Sequence, residues 1–222
     1  MSPVDTRPPA PIFAVVDYGA GNLVSIDQAL RRIGVEPRII TNARGLEDVH
    51  ALVVPGVGAA GPAMDRLRKQ DLVEPIRDWI AAGRPYLGIC LGLQLLFEGS
   101  DEDGAETLGV LAGRTTRLRD APTLPHIGWN QVDRVRPHPL FDGITEGADF
   151  YFVHSYAGAL DGASTDAVLA RTSHGSSFVS AVASGEMLGV QFHPERSGDD
   201  GLRLLANVRT IVEAHERRRV PV

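Results

Sequence analysis

Short, wholly apolar segments alternate with amphipathic segments through the first half of the chain. In the first amphipathic segment, apolar residues recur at spacings of three and four, the period of one helix face, and Gly34 ends the pattern. Apolar segments without polar alternation are typical of strands buried on both faces, which requires a parallel sheet with helices on either side. The predicted strands are residues 12–16, 35–40, 51–54 and 85–89, and the helix face comprises Leu23, Ile26, Leu30 and Ile33.

The remaining segments extend this arrangement into one α/β domain. Helices are predicted over 62–82, with a break near Pro75, over 91–97, and in a C-terminal segment with one apolar face. Few helical stretches separate the strand-like segments of the second half, which favours antiparallel strands beside the parallel sheet. The apolar face is Leu202, Leu205, Val208 and Val212, and the strand-like segments are 113–118, 131–135, 149–153, 178–183 and 187–192.

The predicted domain organisation has three parts. Residues 1–11 contain four prolines and no apolar core of a signal peptide, so we expect a disordered lead-in. Residues 12–216 show no linker or repeat and are expected to form one domain, followed by a short tail at 217–222. The predicted fold is therefore α/β, with a mostly parallel central sheet flanked by helices on both faces and extra antiparallel strands in the C-terminal half.

Composition argues against several classes of function. The formal net charge is −6, which does not provide the basic face of a nucleic-acid-binding protein. No segment approaches the roughly 20 apolar residues of a membrane span. Cys90 is the only cysteine, so neither an intrachain disulfide nor a cysteine-based zinc site is expected. These observations predict a cytoplasmic protein without nucleic-acid, membrane or metal partners.

Cys90 lies in the most informative motif of the chain. Gly88 and Gly92 flank it in a G-x-C-x-G pattern, after a predicted strand and before a predicted helix. This is the setting of a nucleophile elbow, in which a sharp turn leaves no room for flanking Cβ atoms. The beginning of the helix favours the thiolate, and the Leu91 N–H is placed to serve as an oxyanion donor. The alternative is a buried structural cysteine, but the flanking glycines favour a nucleophile.

Three further features fit the same site. His193 follows an apolar strand, and in an extended segment Glu195, two residues later, would point the same way, a combination that suits a general base and the carboxylate that orients it. The glycine-rich segment 55–59 suits a second oxyanion donor, although a simple tight turn explains it equally well. Gln94 lies one helical turn after Cys90 and is either a substrate contact or a solvent-facing residue. The competing histidines are His50, His126, His138, His154, His174 and His215.

Together these motifs resemble those of the class I, or triad, glutamine amidotransferases, which carry a G-x-C-x-G elbow, a downstream H-P-E and a P-G-x-G loop. The match here is LGICLGLQLL, FHPE and PGVG. More narrowly, the chain resembles the glutaminase subunits of imidazole glycerol phosphate synthases. The proline-rich lead-in departs from that pattern, and the stretch 99–107 has no assignable role. The narrower match rests on DYGAGN (17–22), VPGVGA (54–59), PHIGWN (125–130), YFVHSY (151–156) and GVQFHPERSG (189–198).

The resemblance implies a flavodoxin-like sheet and a cofactor-free glutaminase. Cys90 would attack the side-chain carboxamide of glutamine, His193 would act as general base and acid, and Glu195 would orient His193. The backbone of Val57, Gly58 and Leu91 would supply oxyanion and substrate contacts. Four further residues match positions that hold glutamine in the family, and several of those contacts are made by backbone. They are Gln94, His154, Ser155 and Tyr156.

The resemblance also implies a partner, a (β/α)₈-barrel cyclase subunit in a heterodimer. Ammonia would pass through the barrel and be used to make imidazole glycerol phosphate and an aminoimidazole-carboxamide ribotide in histidine biosynthesis. Family members are slow glutaminases until the partner binds its nucleotide, which we adopt as a hypothesis. The residues that match the docking face are Asn22, His126, Trp129, Asn130 and Arg196.

Three other interpretations remain open from the sequence. The chain could supply ammonia to anthranilate, guanylate or carbamoyl phosphate synthesis, with unchanged chemistry at Cys90. It could be a non-catalytic binding module that keeps a triad-like pattern, or a cysteine peptidase or related hydrolase on a similar sheet. Replacement of Cys90, alkylation by a glutamine analogue and identification of the partner separate these interpretations.

Overall fold

The computed structural model describes residues 10–159 and 165–219. Nearly all of the predicted lead-in and the last residues of the predicted tail lie outside the described residues. The helices are α1 (Leu23–Arg32), α2 (Ala60–Lys69), α3 (Val73–Ala81), α4 (Leu91–Gln94) and α5 (Gly198–Arg219). The strands are β1 (Ile12–Val16), β2 (Glu36–Ile40), β3 (Ala51–Gly56), β4 (Tyr86–Cys90), β5 (Gly99–Ser100), β6 (Arg114–Arg117), β7 (His126–Gln131), β8 (Asp133–Arg134), β9 (Asp149–His154), β10 (Tyr156–Gly158), β11 (Val168–His174), β12 (Ser176–Ser184) and β13 (Met187–Val190).

A central sheet of eight strands organises the molecule, in the order β2-β1-β3-β4-β13-β12-β11-β8. The first five strands in this order are parallel, and the last three are added antiparallel. A three-stranded sheet (β10-β6-β5) and an antiparallel pair (β7-β9) complete the architecture. The predicted fold class is confirmed, including the antiparallel strands of the C-terminal half. None of the described helices is long and apolar enough to span a membrane.

The sheet separates two apolar layers, as its unbroken apolar strands require. Alternate residues of β1 enter opposite layers: Phe13 and Val15 pack with residues of α1 and α5, whereas Ala14 and Val16 pack with residues of α2 and α3. All four side chains are fully buried. Side chains alternate between the faces of a strand, so a strand buried on both faces must be apolar at every position.

Several element boundaries differ from the sequence prediction. The predicted helix over 62–82 is interrupted at residues 70–72, where Asp71 has φ +53°, and Pro75 lies inside the first turn of α3. Proline is tolerated there because the first-turn N–H groups have no intrahelical acceptor. The helix predicted over 91–97 ends at Gln94. In place of the strand predicted over 131–135, the structure has β7 and β8, and it also has β11, which was not predicted. These strands carry polar residues on a partly exposed face, so their apolar pattern is interrupted.

The carboxyl ends of the central parallel strands meet at one edge of the sheet. Gly56 at the end of β3 pairs in register with Cys90 at the end of β4, and Val190 of β13 pairs with Ile89. The segments that follow β3, β4 and β13 therefore emerge side by side. This is where open α/β sheets bind ligands, and these segments carry the P-G-x-G, G-x-C-x-G and H-P-E motifs.

Candidate active site

The backbone at Cys90 forms the sharp turn that its flanking glycines predict. Cys90 has φ +54° and ψ −106°, a conformation that non-glycine residues rarely adopt, directly between β4 and α4. A Cβ atom on Gly88 would lie 2.5 Å from the Gly92 carbonyl oxygen, and one on Gly92 would overlap the carbonyl oxygen of Val54. Because either Cβ atom would collide with the backbone, the elbow can form only with glycine at both positions. Backbone strain like that at Cys90 concentrates at functional sites.

His193 and Glu195 form a buried pair at the end of β13. The imidazole Nδ1 lies 2.8 Å from Glu195 Oε1, and the two side chains are 6% and 2% exposed. Because the carboxylate accepts, Nδ1 carries the proton. The other ring nitrogen, Nε2, is buried and has no hydrogen-bond partner among the described residues. It is thus available to exchange a proton.

A 3₁₀ turn, and not the extended segment predicted, brings His193 and Glu195 together. The turn spans Pro194–Arg196. Ser197 fastens it: its hydroxyl donates to the His193 carbonyl oxygen at 2.6 Å and accepts from the Tyr151 N–H at 3.0 Å. The His193 N–H also donates to the Tyr151 carbonyl oxygen at 2.8 Å. These bonds fix the imidazole relative to β9.

The pKa of His193 depends on the charge of Cys90. Burial alone would lower the pKa of His193, but the negative charge of Cys90, followed by the hydrogen bond and charge of Glu195, outweighs it and raises the pKa above the ordinary 6.5. The imidazolium form is favoured between these two acidic groups. The arrangement suits a thiolate–imidazolium pair.

A cavity of about 170 Å³ opens beside Cys90. The predicted residues at its wall are Gly58, Gln94, His154, Ser155 and Tyr156, whereas Val57 and Leu91 are not among the lining residues. Pro125 and Val153, from the PHIGWN and YFVHSY segments, also line it, and so does Glu102, which no sequence motif singled out. Burial, followed by the charge of Asp103, raises the pKa of Glu102. Part of the stretch 99–107 thus lies at the cavity.

The P-G-V-G loop after β3 forms the rim of this cavity. Gly58 has φ +94°, which favours glycine, and the Val57 side chain is 45% exposed. A Cβ on Gly56 would overlap the hydroxyl of Tyr18, and one on Gly21 would touch Gly56. The DYGAGN turn therefore packs against the base of the loop and leaves its tip exposed.

Comparison with known sequences identifies this arrangement. The sequence model of the glutamine amidotransferase class-I family matches residues 14–210. The chain belongs to this family. Among curated relatives of this amidotransferase, the imidazole glycerol phosphate synthase subunit HisH of Xylella fastidiosa is 47% identical over 196 residues, or 87% of this chain and 94% of the relative. The subunit of the same name from Symbiobacterium thermophilum is 46% identical over 88% of this chain and 92% of its own.

Solved structures support the fold independently. A protein described as a GMP synthase subunit from Thermoplasma acidophilum has a TM-score of 0.71 at 19% identity, covering 95% of this chain and 98% of its own. The structure of PurLQS from Thermotoga maritima gives the same TM-score and identity over 90% of this chain and 98% of its own. At this identity the likeness establishes the amidotransferase fold alone.

Gln94 is held by the protein through its amide nitrogen. Nε2 donates to the Tyr156 carbonyl oxygen at 2.6 Å and to Gln191 Oε1 at 3.1 Å. Both hydrogens of the group are thus used within the amidotransferase. The described residues form no hydrogen bond to the side-chain oxygen Oε1 of Gln94, which is the group left to contact a substrate.

His126 and His154 form a buried cross-strand pair on β7 and β9. His126 Nδ1 lies 3.1 Å from His154 Nε2, and His154 Nδ1 lies 3.0 Å from the Tyr156 carbonyl oxygen. The carbonyl can only accept, so His154 carries its proton on Nδ1 and His126 donates to Nε2. Burial, followed by the neighbouring His174, lowers the pKa of His126 to about 4; burial likewise lowers that of His154 to about 3. Both imidazoles are therefore neutral at pH 7.

This pair predicts a loss of stability in acid. Because the folded pKa values lie below 6.5, the unfolded chain binds more protons, so the contribution is full above pH 6.5 and is lost as the pH falls towards 4. We expect the free energy of unfolding to drop by about 3 kcal/mol between pH 6.5 and pH 5, measured by urea denaturation. In His154→Gln the pH slope should be smaller; an equal slope in both proteins would contradict this assignment.

The residues predicted to meet a partner do not all share one environment. Trp129 is 58% exposed, and Asn22 and Arg196 are also exposed, with the Arg196 guanidinium 4.1 Å from the centre of the Tyr151 ring. Asn130 is half-buried. His126 is only 3% exposed and lies beneath this face, where Asn130 Nδ2 contacts its Nε2 at 3.1 Å. Its side chain supports the face from behind.

Besides Glu102, two polar residues of the site escaped the sequence analysis, Gln191 and Ser197. Gln191 is fully buried, and its side-chain Nε2 donates to Cys90 Sγ at 3.5 Å. Its signal in the sequence is a polar residue within the apolar segment 187–192. Across residues 10–159 and 165–219, no group of three or more histidine, cysteine, aspartate or glutamate side chains is arranged to hold a metal ion.

Proposed function

We propose that this amidotransferase is the glutaminase subunit of an imidazole glycerol phosphate synthase and uses Cys90, His193 and Glu195 as its catalytic triad. The observation that carries the proposal is the strained Cys90 elbow beside a buried imidazole whose pKa the Cys90 charge raises. The identity to HisH subunits over most of the chain supports the pathway. A cytoplasmic location remains a prediction of the sequence.

In the proposed reaction, Cys90 Sγ attacks the carboxamide carbon of glutamine as the thiolate. The tetrahedral intermediate collapses when His193 Nε2 gives its proton to the departing nitrogen, which releases ammonia and leaves a γ-glutamyl thioester. His193 then takes a proton from water as the water attacks the thioester, and glutamate leaves. Glu195 holds the proton on Nδ1 throughout and stabilises the imidazolium.

Backbone N–H groups of Val57, Gly58 and Leu91 are the proposed donors to the oxyanion and substrate. The Leu91 N–H belongs to the first turn of α4, which has no intrahelical acceptor. Because the tip of the P-G-V-G loop is exposed, we propose that the partner and its nucleotide set its active conformation. A missing oxyanion donor costs roughly 10²–10³ in kcat, which accounts for a slow isolated subunit.

The cavity beside Cys90 is the proposed glutamine site. Gln94, His154, Ser155 and Tyr156 form its wall, and Glu102 adds a carboxylate. A free amino acid carries an α-ammonium group, and we propose that Glu102 binds it. This contact would be equally strong in the bound substrate and the transition state, so it would affect binding more than chemistry.

Replacement of Glu102 with glutamine is expected to raise KM for glutamine about tenfold, with kcat changed less than about threefold, because one charge-assisted hydrogen bond is lost. Steady-state glutamate formation measures both constants. Glu106→Gln, which makes the same change at an exposed carboxylate of this stretch that is not at the cavity wall, is the matched control. An unchanged KM in Glu102→Gln would refute this role.

The exposed face of β7 and β9 is the proposed docking surface for a (β/α)₈-barrel cyclase. Ile127 and Trp129 are 59% and 58% exposed there, next to Arg196 on the turn after His193. Exposed aromatic and arginine side chains are enriched at interface hot spots. Asn22 completes the proposed face, and Asn130, which contacts His126 and the Ser173 carbonyl oxygen on the other side of β7, supports it together with His126.

Ammonia release tests the function directly. The purified chain is incubated with glutamine, alone and with the cyclase and its ribotide substrate, and glutamate and imidazole glycerol phosphate are measured. We expect slow hydrolysis alone and a large increase in the complex. A chain that binds and activates another synthase, but not the cyclase, would assign it to a different ammonia-using pathway.

A further inference from the structure

We propose that Gln191 is a catalytic residue that donates a hydrogen bond to the sulfur of Cys90 and stabilises its thiolate. This inference rests on the proposed function, in which Cys90 is the nucleophile. The contact joins Gln191 Nε2 to Cys90 Sγ at 3.5 Å, and both residues are buried. Gln191 is the first residue after β13, beside the end of β4 that carries Cys90.

The surroundings of Gln191 decide which end of its amide faces the sulfur. The Tyr156 carbonyl oxygen can only accept, so the group that Gln94 presents to it is NH₂. The same NH₂ lies 3.1 Å from Gln191, which must therefore turn its oxygen towards Gln94. This leaves the Gln191 NH₂ facing Cys90. The orientation follows from a fixed backbone acceptor at the far end of the chain of hydrogen bonds.

Besides its interaction with His193, the Cys90 sulfur has two polar contacts, one with a hydrogen-bond acceptor and one with a donor. The Val153 carbonyl oxygen lies 3.9 Å from Cys90 Sγ and can accept only from a protonated thiol. Gln191 donates, and a donor binds an anionic acceptor more strongly than a neutral one. Gln191 does not titrate in the range where enzymes work, so its contribution persists when His193 gives up its proton. The amide therefore favours the thiolate through the whole catalytic cycle.

A packing role alone explains the residue less well. Gln191 lies in a segment of apolar residues, is 0% exposed and has its backbone N–H bound to the Ser180 carbonyl oxygen at 2.9 Å. A buried amide costs free energy unless it is hydrogen-bonded, whereas an apolar side chain of similar size would fill the space. The oxygen of its side-chain amide instead accepts from Gln94, at the cavity wall, and its nitrogen donates to Cys90 Sγ.

The single cysteine makes the test direct, because every alkylated thiol is Cys90. The rate of Cys90 alkylation by iodoacetamide is measured against pH in wild type, Gln191→Met and Gln191→Glu. We expect the midpoint of the profile to rise by about one pH unit in Gln191→Met and further in Gln191→Glu. In both variants kcat should fall at least about tenfold, with KM for glutamine within about threefold. Ser180→Ala, which alters a buried side chain on the neighbouring strand, is the packing control.

Unchanged alkylation profiles in folded Gln191 variants would overturn the inference while leaving Cys90 as the nucleophile. Retained glutamine hydrolysis in Cys90→Ala would instead overturn the proposed function. A measurement on the native side chain covers the case in which neither Gln191 variant folds. The Gln191 side-chain ¹⁵N–¹H resonances should shift as the thiol of wild-type Cys90 titrates, and not in Cys90→Ala. Identical behaviour in the two proteins would equally overturn the inference.

Discussion

Replacement of Cys90 with alanine is expected to abolish glutamine hydrolysis. Removal of the nucleophile from a triad hydrolase lowers kcat by on the order of 10⁶, so we expect a fall of at least about 10⁴-fold, measured as glutamate formed in the complex with the cyclase. The side chain is 4% exposed, and alanine removes one atom from it, so the fold should persist. The acceptor reaction needs only ammonia and should proceed when ammonium salt replaces glutamine.

The measurement with ammonium salt separates a loss of glutamine hydrolysis from damage to the complex. Loss of both glutamine-dependent and ammonium-dependent synthesis would indicate a damaged complex. Loss of neither would show that glutamine hydrolysis in the complex does not depend on the Cys90 thiol.

Replacement of His193 with asparagine is expected to lower kcat by at least about 10⁴-fold. Asparagine can still hydrogen-bond to Glu195 but cannot carry the proton to the departing ammonia, and it removes the cation that balances the Cys90 thiolate. Steady-state hydrolysis and the alkylation rate of Cys90 near neutral pH should fall together. A variant with full alkylation but no turnover would confine His193 to proton transfer.

His138→Asn is the matched control for this variant. His138 Nδ1 accepts from the Leu140 N–H at the start of a 3₁₀ turn, outside the cavity wall, and asparagine can replace that cap. Its activity should equal that of wild type. A comparable loss in His138→Asn would indicate a general effect of replacing histidine and would remove the case for His193.

The triad could be predicted because its evidence is local in sequence. The glycines beside Cys90 indicate a sharp backbone turn, and a single residue separates His193 from Glu195, so a short turn is enough to bring them together. The roles of Gln191 and Glu102 could not be predicted in this way. Gln191 depends on a contact with Cys90, about a hundred residues earlier, and Glu102 depends on the path of a loop without periodicity.

The sheet was predictable for a related reason, since burial on both faces leaves an unbroken apolar pattern. The antiparallel strands beside this sheet were less predictable. In β7 only one face is covered, and Gly128 at φ +137° interrupts its pattern, so the strand resembles a loop in sequence. The pairing of His126 with His154 across β7 and β9 was invisible for the same reason, although both residues were selected.

The intermediate itself gives the most direct test of the central claim. Wild-type chain, in complex with the cyclase, is mixed with glutamine, quenched with acid during turnover, and analysed by intact mass and peptide mapping. We predict a γ-glutamyl adduct on the peptide that contains Cys90, absent from Cys90→Ala. Glutamate and ammonia formed at the full rate by Cys90→Ala, with no adduct in either protein, would contradict the assignment of Cys90 as the nucleophile.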